Sequence, residues 1–207
     1  MTIQIMKGKN NRTFFAPLAP AESQKRLESN YYVEGYATTF TRYLLGEWDG
    51  IKFYEEIAAD ALRGAEVSDV VFLYDHWGKV LARQSNGTLG IEIDSKGLFC
   101  YADLSKSTAS RELYEEITVR LIERMSWSFH IAERSWQRPD DFTRIHRIER
   151  VSKIYDVSAV GIPANSETEI SARNLAESIL LAEQQERLEL QKRKLQLKSK
   201  LALEVMQ

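Results

Sequence analysis

The spacing of apolar and polar positions changes several times along this chain, and the changes mark its elements. Residues 1 to 30 are polar and mixed, with Lys7, Lys9, Arg12, Lys25 and Arg26, and read as a flexible arm that could end in a first strand. Tyr31 to Phe40, rich in aromatic and β-branched side chains, predicts a strand. Gly46 to Gly50 punctuate a turn, and Ile51-Lys52-Phe53-Tyr54-Glu55 restarts a strand. A short helix is expected around Ala58 to Arg63, stopped by Gly64. Val70 to His76 is the most apolar strand; it ends at His76, and Trp77-Gly78 turns the chain away. After Leu81 to Gln84, two alternating runs, Gly87 to Asp94 and Leu98 to Leu104, are joined by Ser95-Lys96-Gly97 and make a β-hairpin.

From Thr108 to Arg124 the period lengthens. Leu113, Ile117 and Leu121 recur every four residues beside Tyr114 and Ile122, while Arg111, Glu115, Glu116 and Glu123 face out. Ser107 or Thr108 can cap this helix, and Glu112 suits the positive end of its dipole. It delivers the chain into Met125-Ser126-Trp127-Ser128-Phe129-His130-Ile131, which alternates strictly. Met125, Trp127, Phe129 and Ile131 fall on one face of an extended strand, and Ser126, Ser128 and His130 on the other. Arg134 to Thr143 reads as a polar loop, followed by the runs Arg144 to Val151 and Lys153 to Ile162. In the second run Ile154, Asp156, Ser158 and Val160 share one face, and Tyr155, Val157 and Ala159 the other; a turn follows at Pro163-Ala164-Asn165. Ser171 to Gln207 lacks glycine and proline. Leu181, Leu188 and Leu195 repeat every seven residues with Ala202 next, flanked by Glu183, Glu186 and Glu189 and then by Lys192, Arg193 and Lys194. That predicts a long helix able to pair with another helix, although the same pattern suits one packed on its own domain.

At 207 residues the chain can bury one core and carry an appendage. Its net charge of -2 gives no electrostatic reason to expect nucleic acid or an anionic membrane as partner. Residues 1 to 20 lack the apolar core of a signal peptide, and no stretch is apolar enough to span a membrane, so the chain reads as cytosolic. The single cysteine, Cys100, excludes an intramolecular disulfide and any cysteine-based metal cluster, and its apolar setting suits a buried structural thiol.

The polar face of the 125–131 strand is the first candidate for chemistry. A core-anchored strand holds Ser126, Ser128 and His130 at fixed positions, as a nucleophile requires, although a half-buried strand with a merely polar outer face has the same pattern. Only three histidines, His76, His130 and His146, could supply a base. His76 ends an apolar strand, a place that structural histidines also take. Asp156 lies within an apolar run, where burial is costly unless it is paired and an edge open to water is the alternative.

Several pieces in order carry a resemblance. They are Glu34-Gly35-Tyr36-Ala37, Tyr74-Asp75-His76, Gly87-Thr88-Leu89 through Asp94 to Gly97-Leu98, the amphipathic helix, Met125-Ser126-Trp127-Ser128-Phe129, Asp156-Val157-Ser158-Ala159-Val160 and Pro163-Ala164-Asn165. Over about residues 31 to 170 the chain resembles the tailed-phage prohead (procapsid maturation) protease family, whose fold is similar to that of the herpesvirus assembly proteases. The resemblance implies a β-dominated α+β fold, a β-barrel with flanking helices, here followed by a long C-terminal helix. The implied division is a flexible arm over 1–30, a serine protease domain over 31–170 and a helical tail over 171–207.

Carried over position by position, the resemblance makes Ser126 the nucleophile, His76 the general base and Asp156 the third member. The chain departs from the family in three places. Asp156 stands where a glutamate is usual, Ser128 where glycine is frequent, and Glu123 or Arg124 where another glycine occurs, so Ser128 remains a rival nucleophile. His130 and His146 stay as alternatives because the herpesvirus enzymes use a serine-histidine-histidine set. The implied function is a serine endopeptidase that needs no cofactor. It cleaves the scaffolding segment of the phage major capsid protein, or a separate scaffold, and itself, as a homo-oligomer inside the procapsid in the host cytoplasm. A structural, scaffold-binding procapsid component with little turnover is the alternative. A third reading, an unrelated esterase or amidase, lacks support because no Gly-x-Ser-x-Gly elbow surrounds Ser126 in this chain.

Overall fold

The computed structural model describes residues 10–14, 18, 20, 25–161 and 179–198. Ten strands and two helices are found among them. They are β1 (Asn10–Phe14), β2 (Tyr32–Thr39), β3 (Tyr43–Trp48), β4 (Ile51–Ile57), β5 (Val71–Tyr74), β6 (Trp77–Arg83), β7 (Leu89–Ile93), β8 (Gly97–Asp103), α1 (Thr108–Thr118), β9 (Arg124–Asp140), β10 (Thr143–Val160) and α2 (residues 179–198). The protein is β-dominated with a long C-terminal helix, but among the described residues the strands do not close into the expected barrel. They form two sheets. One runs β1-β9-β10-β4-β3, with β5 and then β6 added beside β10; the other is β2-β8-β7.

The frame of the larger sheet is the β9–β10 hairpin. One edge of β10 pairs antiparallel with β9 along nearly its whole length. Its other edge pairs in parallel first with β4, over Thr143–Ile148, and then with β5, over Asp156–Ala159. Register shifts between Ile148 and Lys153 let one strand serve both partners. The apolar face of β9 looks into the core: Met125, Trp127 and Phe129 are fully buried, with Trp127 stacked on Phe129 at 3.8 Å between ring centroids. Across the core the Cys100 thiol of β8 lies 3.6 Å from the Met125 sulfur, joining the two sheets at the start of β9. Burial raises that thiol's pKa, which suits a structural cysteine.

Four local expectations are corrected. The segment around Ala58 to Arg63 is a chain of turns with Ala61 N–H to Ala58, Arg63 N–H to Asp60 and Ala65 N–H to Leu62 bonds, each spanning three residues, so no helix forms. β3 runs through Gly46, and the turn is confined to Asp49-Gly50, both in the left-handed region. The polar stretch Arg134 to Asp140 is strand, because pairing with β10 and cross-strand contacts such as Arg150–Glu133 and Ser135–Glu149 override its composition. α1 stops at Thr118, leaving Leu121 exposed. The N–H of Leu121 bonds Glu116 and that of Arg120 bonds Ile117, a Schellman closure with Arg120 in the left-handed position usually given to glycine. Its N-cap is Ser107, which accepts the Ser110 N–H. The stretch read as an arm contributes β1, paired to β9.

α2 meets the body through its first turn. Ile179 packs on Phe53 beside Trp48 and Trp136, and Glu183 takes two hydrogen bonds from the buried Arg144 guanidinium at 2.8 and 2.9 Å. Leu181, Leu188 and Leu195 are all exposed, so the heptad face lies away from the body. No helix among the described residues is long and apolar enough to cross a membrane. The Pro163-Ala164-Asn165 turn and residues 171–178 and 199–207 of the tail lie outside the described residues.

Candidate active site

Three neighbouring strands, β9, β10 and β5, bring the site together. At this level β10 lies between the other two: Ser158 stands opposite Ser126 of β9 and beside Leu73 of β5, and Asp156 opposite Ser128 and beside Val71. Directly opposed residues share a face. Ser126, Ser128, Asp156 and Ser158 therefore form a four-residue polar block, each side chain exposing at most 1% of its surface.

The histidine reaches this block from a turn. β5 and β6 are joined by only two residues, Asp75 and His76, between the paired Tyr74 and Trp77. Both have left-handed φ, 46° and 61°, the geometry a two-residue hairpin needs to follow the twist of its strands. Two bonds fix the turn to β10: the Asp75 N–H donates to the Ala159 carbonyl at 3.0 Å and the His76 N–H to Ser158 Oγ at 3.3 Å.

The ring then spans β10 to β9. His76 Nε2 is 2.6 Å from Ser126 Oγ, and His76 Nδ1 is hydrogen-bonded to Asp156 Oδ1. One protonation pattern satisfies both contacts: Nδ1–H donates to the carboxylate, and Nε2 accepts from the serine hydroxyl. In that arrangement the imidazole can take the Ser126 proton, and the carboxylate steadies the charge that follows. Ser158 Oγ completes the cluster. It donates to Asp156 Oδ1 at 3.1 Å and lies 3.2 Å from His76 Nδ1. The His76 side chain keeps 10% exposure, whereas Ser126 has none.

Of the rival residues, Ser128 lies within the polar block but off the His76 ring, and the two histidines make contacts elsewhere. Ser128 is buried and its hydroxyl has no hydrogen-bond partner among the described residues; the ring nitrogen goes to Ser126. His130 Nδ1 bonds Ser152 Oγ at 2.9 Å. His146 lies ten residues before Asp156 along β10, roughly 30 Å away in extended chain. It is stacked on Trp136 at 4.5 Å, and its Nδ1 bonds Glu55, which also binds Tyr43. Sequence reasoning placed Ser158 on the Asp156 face but gave it no role. The Asp-x-Ser spacing was the available signal, since alternate positions of a strand address the same neighbour.

A family model described as caudovirus prohead serine protease matches residues 20–180. No curated protein and no solved structure matches the chain.

Proposed function

The chain belongs to the caudovirus prohead serine protease family, and from that premise we propose that Ser126, His76 and Asp156 are its catalytic triad. The observation that carries this reading is the 2.6 Å contact between His76 Nε2 and Ser126 Oγ, with Asp156 on the other ring nitrogen. Ser126 Oγ attacks the carbonyl carbon of the scissile peptide while His76 Nε2 takes its proton. The C–N bond breaks, the amine leaves with that proton, and an ester to Ser126 remains. Water, deprotonated by the same ring, then releases the acid and restores the serine. Asp156 keeps Nδ1 protonated and stabilises the imidazolium of each transfer.

The substrate in this reading is the scaffolding segment of the phage major capsid protein, or a separate scaffold, cut inside the assembling procapsid in the host cytoplasm. The protease also processes itself and works as a homo-oligomer. The test is co-expression with the phage's own capsid protein, comparing wild type, Ser126→Ala and Ser128→Ala by intact mass. Cleavage lost only in Ser126→Ala supports the triad, and loss only in Ser128→Ala moves the nucleophile two residues along the strand. A wild type that binds the capsid protein and never cuts favours the structural procapsid component instead.

A further inference from the structure

A nucleophile with no exposed surface cannot meet a peptide until something moves. The N-terminal strand lies beside it. Among the described residues β1 is an edge strand of the larger sheet, and it pairs antiparallel with the start of β9. Asn10 stands opposite Phe129, and Thr13 opposite Ser126. Beyond it the chain is fastened: Leu18 is buried, and its N–H donates to the Glu123 carbonyl at 3.1 Å. β1 itself is weakly built for a strand. It has five residues, three of them Asn10, Asn11 and Arg12, and asparagine is depleted in strands. A short, polar edge strand is readily exchanged for another.

We propose that β1 holds, in cis, the edge of β9 that receives substrate, and that an extended peptide binds by displacing it. The added peptide runs antiparallel to β9, as β1 does. The residues before its scissile bond then lie opposite Trp127, Ser128 and Phe129, and the bond itself comes level with Ser126. Backbone pairing supplies affinity that is largely independent of side chains, as in strand addition to any open sheet edge. The N-terminal segment thus keeps the nucleophile covered until a strand able to compete for the edge arrives. This rests on Ser126 being the nucleophile.

The test uses the full chain with Arg12→Pro and Thr13→Pro together. Adjacent residues of a strand point their N–H groups to opposite edges, so one of the two prolines removes a β1 donor facing β9 whichever parity holds. Labelling of Ser126 by a fluorophosphonate probe is expected to quicken about tenfold, the gain when an edge occupied roughly nine-tenths of the time is freed. A synthetic peptide of residues 8–16 should slow it again. An unchanged or slower rate, with the thermal midpoint retained, overturns the proposal. Hydrogen exchange on Ser126→Ala decides the same point without catalysis. With the phage's capsid protein added, the amides of residues 10–14 should lose protection while those of Met125 to Phe129 keep theirs; β1 protected equally with and without it overturns the proposal. If neither protein labels at Ser126 although both are folded, the nucleophile assignment fails, and the exchange result still decides whether β1 is displaced.

Discussion

Replacing Ser158 by alanine removes one oxygen atom that joins three parts of the site. Ser158 Oγ accepts the His76 backbone N–H at 3.3 Å, donates to Asp156 Oδ1 at 3.1 Å and lies 3.2 Å from His76 Nδ1. It is fully buried, so no bulk water stands ready to take its place. A hydrogen bond to a charged group contributes about 1.5–3 kcal/mol, and the bond to the Asp156 carboxylate is of that kind. If most of that support is felt where the imidazolium forms, kcat falls about 10- to 100-fold at about 1.4 kcal/mol per factor of ten. KM should hold, because Ser158 acts through Asp156 and His76 and not on the substrate. The assay is steady-state cleavage of a capsid-protein segment by wild type, Ser158→Ala and Ser158→Thr, with thermal midpoints measured alongside. Threonine keeps the hydroxyl and suits a strand, so it should restore most of the rate. A kcat within about twofold of wild type in Ser158→Ala, with only the midpoint lowered, would refute a positioning role, since loss of a buried hydrogen bond alone moves stability at this scale.

Other outcomes follow from neighbouring contacts. Ser128→Ala deletes a buried hydroxyl that has no partner among the described residues, so cleavage should survive and the unfolding free energy from urea titration should stay level or rise by about 1 kcal/mol. Asp156→Glu adds a methylene where only 1% of the surface is open; overpacking of about 1–3 kcal/mol and slower cleavage are expected in paired unfolding and kinetic runs, despite glutamate being usual in the family the chain resembles. Burial pushes the Glu56 carboxyl up, but hydrogen bonds from Arg42 and Arg147 outweigh it and hold the group below its ordinary value. A carboxylate depressed in the folded state stabilises above its unfolded pKa, about 4.3, and that contribution is lost as pH falls through the folded value. The gap in urea-unfolding free energy between wild type and Glu56→Gln, about 1 kcal/mol at pH 7, should therefore narrow below about pH 4, and a gap independent of pH would contradict the assignment. Glu183→Ala strips the Arg144 guanidinium, itself 4% exposed, of its carboxylate partner; about 1–2 kcal/mol and faster hydrogen exchange in the first turn of α2 are expected.

How much of this was legible in the sequence depended on whether an element follows its own residues or its neighbours'. The alternation from Met125 to Ile131 marked the face of β9 that joins the apolar core, but it did not foretell that Ser126 and Ser128 on the other face are just as completely buried. The β7–β8 hairpin and the Ser107 cap were readable for the same reason, since turn and cap chemistry are local. Arg134 to Asp140 was not, because apart from Trp136 its composition is polar and turn-like, and the β10 partner supplies the order. Nor could periodicity find the end of α1: Leu121 continues the four-residue spacing, but the chain leaves the helix at Arg120 and turns Leu121 outward. For the site, the meeting of His76, Ser126 and Asp156 was implied by resemblance alone. No spacing in the chain relates residues 50 and 30 positions apart.

The turn that carries His76 shows why that part was hidden. A two-residue hairpin of this geometry asks for left-handed φ at both positions, and glycine or asparagine would meet the demand at least cost. The chain places Asp75 and His76 there and puts its glycine at Gly78, inside β6. Left-handed non-glycine residues cost of order 1 kcal/mol each, so such a turn persists only where the surroundings hold it. Here they do: the two N–H groups of the turn go to Ala159 and Ser158, and the ring is held between Asp156 and Ser126. The same pair of bonds sets both the strained backbone and the ring's approach to the serine. Local preference would misread Asp75-His76 as a strand end, because the left-handed turn is held by bonds to β10 and β9 and not by the preferences of its own two residues.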